Sequence, residues 1–236
     1  MATYVISDIH GEYEKFIQLL KKISFREDDT LYILGDVLDR GAHPIQVLLE
    51  MMKYPNIIPI IGNHELMAMM CLPFLNSEIE ESSIAKLDAK MMAAILNWQE
   101  NGSDTTLNEF RKLDKETRQM VIDYLGEFIA YEELYIGGKE FVLVHGGLDH
   151  FEPNKDLDEY SIYDLVWCRP DYNRMYYPDK YLVTGHTPTQ LISSTNPGCI
   201  YQKNNHIAID CGATFGGRLA AYCFETGEEF YVESAT

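Results

Sequence analysis

The amino-acid sequence predicts an α/β fold, and three observations support this prediction. In residues 2–75, short apolar segments alternate with amphipathic helical patterns, an order typical of parallel strands joined by helices. From residue 138 onward, short strand patterns replace the helical ones. The chain has 236 residues without an internal repeat or a linker-like segment, which suits one large domain. We therefore predict a single domain over residues 1–236 that contains two mixed sheets.

The first part of the chain has the predicted order β-α-β-α-β-α. Buried strands are expected at residues 4–6, 31–34 and 57–61, where apolar residues run without interruption. Helices are expected between them, because apolar residues recur at positions i, i+3, i+4 and i+7. The second helix should begin near Pro44, a residue suited to the first helical turn. The apolar faces of the two helices consist of Phe16, Leu19, Leu20 and Ile23, and of Ile45, Leu48, Leu49 and Met52.

Residues 76–137 lack a strand pattern, and we predict a helical insertion there. A turn is expected at residues 101–104, which read Asn-Gly-Ser-Asp. Two apolar stripes with helical spacing lie on either side of this turn. They consist of Ile84, Leu87, Met91, Ile95 and Trp98, and of Met120, Val121, Tyr124, Leu125 and Phe128.

The last part of the chain consists of short predicted strands. Hairpin turns are expected at Gly137-Gly138 and Thr226-Gly227. The strands are predicted at residues 140–145, 181–185, 199–202, 206–211, 219–224 and 228–232. We expect the final three to form a meander in the second sheet.

The composition excludes several classes of protein. The net charge of −18 disfavours nucleic acid as a partner, because that binding depends on Lys and Arg side chains that neutralise phosphates. No apolar run approaches the ~20 residues that span a bilayer, so we expect no membrane insertion. The five Cys residues form no Cys-x-x-Cys pair, which indicates a reducing compartment. The chain begins with a strand rather than a signal-like segment, and we expect a cytoplasmic protein.

Five short motifs carry the chemistry, and each follows an apolar strand segment. A buried strand that ends in Asp, His or Asn followed by Gly holds those side chains on a rigid support with exposed tips. Several such strand ends can converge on one crevice, where open α/β sheets bind their ligands. The motifs are Ser7-Asp8-Ile9-His10-Gly11, Gly35-Asp36-Val37-Leu38-Asp39-Arg40-Gly41, Gly62-Asn63-His64-Glu65, His145-Gly146-Gly147 and Gly185-His186-Thr187-Pro188.

In order and content these motifs resemble those of the phosphoprotein phosphatases of the calcineurin-like metallophosphoesterase superfamily. The pattern of that family is GDxHG, GDxxDRG, GNHE, HGG and a late GH, and here Ser7 replaces the first Gly. The resemblance extends from Asp8 to about Gly212, and the stretch from Trp98 to Phe110 is similar to the W..NG...TL segment of bacterial members. It implies a four-layer α/β/β/α sandwich, with helices on the outer faces of both sheets.

The resemblance also implies two divalent metal ions that share Asp36 as a bridging ligand. Oxygen and nitrogen ligands without Cys suggest Mn²⁺, Fe or Zn²⁺, and we take Mn²⁺ as the first choice. Such a pair lowers the pKa of a shared water, and the bridging hydroxide would attack phosphorus directly. The residues assigned to the first ion are Asp8, His10 and Asp36, and those assigned to the second are Asp36, Asn63, His145 and His186.

Four further residues match positions that act on the substrate. His64 matches the general acid that protonates the leaving alkoxide, and Asp39 would hold its other ring nitrogen. Arg40 offers a bidentate grip on phosphate, and Arg169 matches a second phosphate-binding Arg of bacterial members. Glu65, in contrast, is expected to support its turn through hydrogen bonds.

Three functions are compatible with this site. The first is a phosphomonoesterase for phosphoserine and phosphothreonine in proteins or for small phosphomonoesters, without an obligate regulatory subunit; phosphotyrosine is left open. The second is a symmetrical dinucleoside tetraphosphate hydrolase, from a sister group that tends to lack the Asp of GDxxDRG and to have GNHD. The third is a partner-binding module on a decayed site. Asp39 and Glu65 favour the first function, and the complete ligand set disfavours the third.

Overall fold

Two five-stranded sheets form the centre of the computed structural model, which describes residues 1–76 and 89–233. The strands of the first sheet are β1 (Thr3–Ile6), β2 (Thr30–Ile33), β3 (Ile57–Pro59), β9 (Leu219–Cys223) and β10 (Glu229–Val232). They are arranged in the order β10-β9-β1-β2-β3. As predicted, β1, β2 and β3 are parallel, so their carboxyl ends meet at one edge of the sheet.

The second sheet has the order β4-β5-β6-β8-β7. In chain order, these strands are β4 (Tyr131–Ile136), β5 (Lys139–Val144), β6 (Lys180–Thr184), β7 (Tyr201–Lys203) and β8 (His206–Ala208). The three central strands β5, β6 and β8 are parallel, and an antiparallel strand borders them on each side. The sheet is therefore mixed, and it delivers the ends of β5 and β6 to the same edge.

The eight α-helices of the described residues lie mainly outside the two sheets. They are α1 (Tyr13–Lys22), α2 (Pro44–Met51), α3 (Asn63–Asn76), α4 (Ala89–Glu100), α5 (Asp104–Phe110), α6 (Lys115–Leu125), α7 (Ile162–Val166) and α8 (Thr189–Ile192). The first three are the helices predicted in the β-α-β-α-β-α order of residues 2–75, and Pro44 begins α2. Of the first predicted stripe in the insertion, Trp98 is buried in α4, whereas Ile84 and Leu87 lie outside the described residues.

Three apolar clusters produce the four layers. Val5 of β1 and Phe141 of β5 meet in the cluster between the two sheets. Residues on the opposite face of β1, such as Ile6, pack against helices that include α1 and α2. On the outer face of the second sheet, Val142 packs with Leu165 of α7. The predicted α/β/β/α sandwich is confirmed.

The predicted helical insertion ends earlier than expected, because residues 131–136 form strand β4. Among the described strands, it lies at the edge of its sheet and pairs only with β5. Its side chains are half-buried or exposed, and Tyr135 is largely exposed, so no continuous apolar face marks it as a strand. The predicted Gly137-Gly138 turn does join β4 to β5, and both glycines have positive φ, as such two-residue turns require.

The predicted C-terminal meander is wrong. Strand β8 belongs to the second sheet, but β9 and β10 join the first, where β9 is antiparallel to β1. Both β8 and β9 are buried along their whole length, so burial gives no local signal for the sheet to which each belongs. The chain crosses between the sheets in residues 209–218, and this crossing passes the functional site. Within the described residues, no helix has the length and apolar character needed to cross a membrane.

Candidate active site

Four of the six candidate ligands lie in loops with an unusual backbone conformation. The φ angles of Asp8, His10, Asp36 and His186 are 52°, 44°, 53° and 61°. This left-handed region is unfavourable for residues other than glycine, so surrounding contacts must hold it. Asp8 N donates to Gly35 O at 3.1 Å, and His10 N donates to Asp36 O at 2.8 Å. These bonds join the loops after β1 and β2 into one rigid unit.

Glu65 joins the second loop to the third. Its Oε1 accepts hydrogen bonds from the backbone N–H groups of Val37 and Leu38, and its Oε2 accepts from those of Asp36 and Gly62. The side chain is fully buried, and each carboxylate oxygen receives two donors. As predicted, Glu65 supports the turn.

Asp36 lies between two groups of nitrogen ligands. Its Oδ2 is 3.4 Å from Nε2 of His10, and its Oδ1 is 3.3 Å from Nε2 of His145. In two groups within the described chain, Asp36 with His10 and His64, and Asp36 with His145 and His186, all ligand atoms lie within 4.8 Å of one another. Asp36 belongs to both groups, which is the placement that a bridging carboxylate requires.

Hydrogen bonds determine the tautomers of His10 and His145. Their Nδ1 atoms contact the carbonyl oxygens of Leu38 and Leu34. Because a carbonyl only accepts, Nδ1 carries the hydrogen and Nε2 presents its lone pair, the form in which His binds metals.

With Asp36 ionised, the second group brings together acceptor atoms that have no hydrogen between them. Nε2 of His145 faces Oδ1 of Asn63 at 3.0 Å and Oδ1 of Asp36 at 3.3 Å. Lone pairs of nitrogen and oxygen repel one another at these distances, and a cation among them removes the repulsion. The predicted ligands of the second ion therefore fit a divalent metal on the chemistry of their donor atoms.

Burial shapes the charge of this cluster. It lowers the pKa of His145 to about 3 and the pKa of His186 to about 2, so both rings are neutral near pH 7. Burial, reinforced by the charge of Asp8, raises the pKa of Asp36 well above its usual range. Burial, reinforced by the charge of Asp210, does the same to Asp8. A bound cation would offset this cost and keep the carboxylates ionised.

Asp8 and His186 are joined directly. Oδ2 of Asp8 accepts a hydrogen bond from His186 N at 2.9 Å and another from the hydroxyl of Ser7. Ser7, the one departure from the family pattern, therefore orients a predicted ligand. The bond between Asp8 and His186 brings the end of the first sheet against the end of the second.

The guanidinium of Arg40 contacts two histidines of the site. Its Nη1 lies 2.7 Å from Nε2 of His10, and its Nη2 lies 2.9 Å from Nε2 of His64. The guanidinium thus satisfies the lone pair that His10 would offer to the first ion. Binding of that ion requires Arg40 to turn away, and the adjoining pocket that Arg40 also lines is the space available to it.

His64 and Asp39 form the predicted pair. Nδ1 of His64 lies 2.6 Å from Oδ2 of Asp39, and both side chains are fully buried. The carboxylate accepts, so the imidazole donates through Nδ1 and turns Nε2 towards the cluster, 3.9 Å from Oδ2 of Asp36. The ring is therefore placed to exchange a proton at Nε2 beside the candidate metal ligands.

Arg169 lies on the other side of the cluster. Its Nη1 donates a hydrogen bond to Oγ1 of Thr187 at 3.1 Å, next to His186. Both Arg40 and Arg169 line a pocket of about 460 Å³. The remaining lining residues are Asp36, His186, Pro188, Gln190, Leu191, Asp210 and Phe215.

Several pocket residues were missed in the sequence. Asp210 follows the apolar run 207–209 and precedes Cys211-Gly212, the same strand-end pattern as the five motifs, so a local signal was present. It is buried, and burial raises its pKa to about 6. Leu191 and Phe215 are 75% and 64% exposed and form an apolar wall with no sequence signal of their own.

The fold and this cluster of Asp, Asn and His residues define a metal-dependent phosphoesterase, a hydrolase. The model of the calcineurin-like phosphoesterase family matches residues 1–219, and the chain belongs to that family. Members use divalent metal ions, in agreement with the ligand groups described above.

Relatives by sequence include enzymes that are named for nucleotide substrates. The chain is 26% identical to the asymmetrical bis(5'-nucleosyl)-tetraphosphatase PrpE of Halalkalibacterium halodurans, over 93% of this chain and 89% of that protein. It is 25% identical to the PrpE of Geobacillus sp., over 98% and 94%. A symmetrical bis(5'-nucleosyl)-tetraphosphatase of Salmonella newport is 31% identical over 48% of this chain and 41% of its own length.

Solved structures show the same fold. A putative diadenosine tetraphosphatase superposes with a TM-score of 0.66 at 18% identity, over 100% of this chain and 94% of the other. A protein serine/threonine phosphatase of Saccharomyces cerevisiae superposes with a TM-score of 0.58 at 13% identity, over 100% and 81%. Since the fold accommodates both activities, the substrate must be argued from the site.

Proposed function

We propose that this protein is a dinucleoside tetraphosphate hydrolase, so the second of the three candidate functions replaces the phosphoprotein phosphatase as the main one. The observation that carries the proposal is the pocket in which an apolar wall adjoins two arginines. Leu191 and Phe215 offer exposed apolar surface for a nucleobase, and Arg40 and Arg169 offer cations for phosphates. The names of relatives that match almost the full chain support the same substrate class.

The metal ligands are proposed as the sequence assigned them, with Mn²⁺ as the native ion. Asp8, His10 and Asp36 would hold one ion, and Asp36, Asn63, His145 and His186 the other. When bound, such ions activate water and neutralise phosphate oxygens.

The side chains of the protein would do the remaining work. Arg169 is held beside His186 and binds phosphate oxygens, and Arg40 joins it after turning from His10 into the pocket. Phe215 lies 5.3 Å from the Arg40 guanidinium, so a base stacked on this ring keeps its phosphates within reach of that cation. His64 supplies a proton to the leaving oxygen at Nε2, while Asp39 holds Nδ1.

We propose asymmetrical cleavage, which releases a nucleoside triphosphate and a nucleoside monophosphate. Support comes from the relatives named asymmetrical, which match nearly the whole chain, whereas the relative named symmetrical matches less than half of it. In the sequence analysis the motifs favoured the phosphoprotein phosphatase, and the symmetrical hydrolase was the second candidate function.

A phosphomonoesterase remains a second candidate, because the buried His64–Asp39 pair favours it. A serine or threonine phosphomonoester leaves as a poor alkoxide and needs an acid, whereas a nucleotide leaves as a stabilised anion.

The five cysteines are free thiols, which supports the proposed cytoplasmic location. The proposed partners are small nucleotides, without nucleic acid, a membrane or a regulatory subunit.

The test is a substrate panel with metal-stripped protein that is re-supplied with Mn²⁺, Fe²⁺ or Zn²⁺ singly. We expect the highest kcat/KM for diadenosine tetraphosphate, with ATP and AMP as the products. Two molecules of ADP would contradict the asymmetrical cut. A higher kcat/KM for phosphopeptides would replace the main proposal with the second candidate, and Asp36→Asn serves as the inactive control.

A further inference from the structure

The residues of the predicted proton donor and phosphate clamp have an unfavourable backbone. Asp39 and Arg40 are consecutive, and their φ angles are 71° and 65°. Two adjacent residues other than glycine in the left-handed region persist only where the surroundings hold them. The loop that contains them also carries Asp36, so a change in the backbone conformation of this loop would displace the candidate metal ligand as well.

The contacts that hold this loop come from the helical insertion. Trp98 Nε1 in α4 donates to Oδ2 of Asp39 at 2.7 Å. Thr106 Oγ1 in α5 donates to Oδ1 of Asp39 at 2.5 Å and accepts from Asp39 N at 3.0 Å. Arg40 N donates to the carbonyl oxygen of Gly102, in the turn between the two helices, at 3.0 Å. Trp98, Thr106 and Asp39 are all fully buried.

These bonds determine the orientation of the Asp39 carboxylate. One oxygen receives both His64 Nδ1 and Trp98 Nε1, and the other receives Thr106. Three donors on a buried carboxylate leave it one orientation, in which Oδ2 faces the imidazole. Hydrogen bonds to a charged group are about twice as strong as those between neutral groups, so each donor matters.

We propose that Trp98 and Thr106 are positioning residues for the His64–Asp39 proton donor, and that the turn around Gly102 is their support. The insertion would then have a defined role, because its α4-turn-α5 unit aims the acid at the leaving oxygen. This inference rests on the phosphoesterase activity proposed above. It also accounts for the W..NG...TL segment, because the Trp and Thr of that segment both donate hydrogen bonds to Asp39.

The first test compares Thr106→Val, which removes the hydroxyl at nearly constant volume, with Thr106→Ser, which keeps it. Thr105→Val is the matched control, because the hydroxyl of Thr105 lies in the same helix and has no hydrogen-bond partner among the described residues. Substrates are phenyl phosphate and 4-nitrophenyl phosphate, which differ in the basicity of the leaving oxygen. Thr106→Val should lower kcat for phenyl phosphate by about tenfold, as expected for one hydrogen bond to a charged group, and affect 4-nitrophenyl phosphate less. Thr106→Ser should restore kcat.

The second test does not need turnover. In Zn²⁺-loaded protein, the His64 Nδ1 proton should give a low-field NMR resonance that is absent from His64→Asn. The resonance should persist in Thr105→Val and Thr106→Ser, and should move upfield in Thr106→Val and Trp98→Phe. An unshifted resonance in folded Thr106→Val and Trp98→Phe would overturn the inference. If the wild-type protein hydrolyses no phosphoester, the proposed function fails while the resonance still decides the positioning role.

Discussion

Nδ1 of His64 lies 2.6 Å from Oδ2 of Asp39, and neither side chain is exposed to solvent. A charge-assisted hydrogen bond of this kind orients the ring. Because Nε2 of the same ring faces the candidate metal cluster, this pair connects the protein interior to the reacting centre.

Replacing His64 with Asn should slow hydrolysis without removing the metals. General acid catalysis contributes ~10²–10⁴-fold, so kcat for phenyl phosphate should fall within that range. The loss should be smaller for 4-nitrophenyl phosphate and for diadenosine tetraphosphate, whose leaving groups are less basic. Steady-state kinetics with elemental analysis of the protein checks this. An equal loss for all three substrates would mean that His64 positions phosphate or metal instead.

Replacing Asp36 with Asn should weaken the binding of both ions and lower turnover by several orders of magnitude. The reason is that Oδ1 and Oδ2 face different nitrogen ligands, and among the described residues Asp36 alone belongs to both ligand groups. Asn63→Ala is the comparison, since it should weaken the binding of one ion and leave the binding of the other unchanged. Metal content after dialysis is the measurement, and retention of two ions by Asp36→Asn would remove this residue from the bridge.

Replacing Phe215 with Ala should impair the use of dinucleotides selectively. Stacking of a base on an aromatic ring is worth ~1–3 kcal/mol, so kcat/KM for diadenosine tetraphosphate should fall by about tenfold. Hydrolysis of O-phosphoserine, which has no ring to stack, should change little, and Phe215→Tyr should retain the wild-type preference. Equal effects on both substrates would show that Phe215 acts only through Arg40, which it contacts.

His206 should make the fold sensitive to acid. Burial lowers its pKa to about 4 from 6.5, and its neutral Nε2 is hydrogen-bonded to Thr184 at 2.8 Å. Because the pKa of His206 is lower in the folded protein than in the unfolded chain, its contribution to stability is complete above pH 6.5. This contribution declines as the pH falls towards 4. In urea unfolding, the difference in free energy of unfolding between wild type and His206→Gln should decrease by about 2 kcal/mol between pH 7.5 and pH 5. A difference that does not vary with pH would contradict this origin.

Much of the site could be predicted because its candidate residues lie in short local motifs. Each of the six candidate metal ligands follows a buried strand segment, and parallel strand ends converge on one edge. These ligands are Asp8, His10, Asp36, Asn63, His145 and His186. Glu65 could be assigned a supporting role because Gly62, one of the four residues whose backbone N–H groups donate to it, lies three positions before it. These features depend on few residues at close spacing. The other three donors to Glu65, in residues 36–38, are brought to it by the fold.

Only the tertiary structure decided which distant segments meet. Trp98 reaches Asp39 across 59 positions of the chain, and Arg40 turns to two histidines that lie 30 and 24 positions away. The sequence also did not indicate the sheet to which β9 belongs, because the apolar pattern of a strand buried on both faces does not depend on which strands lie beside it. The apolar wall of Leu191 and Phe215 arises from two short helical segments, residues 189–192 and 213–215, that line the same pocket. A local pattern specifies which side chains are buried and how they are spaced; the partners that cover them are chosen by packing across the whole core.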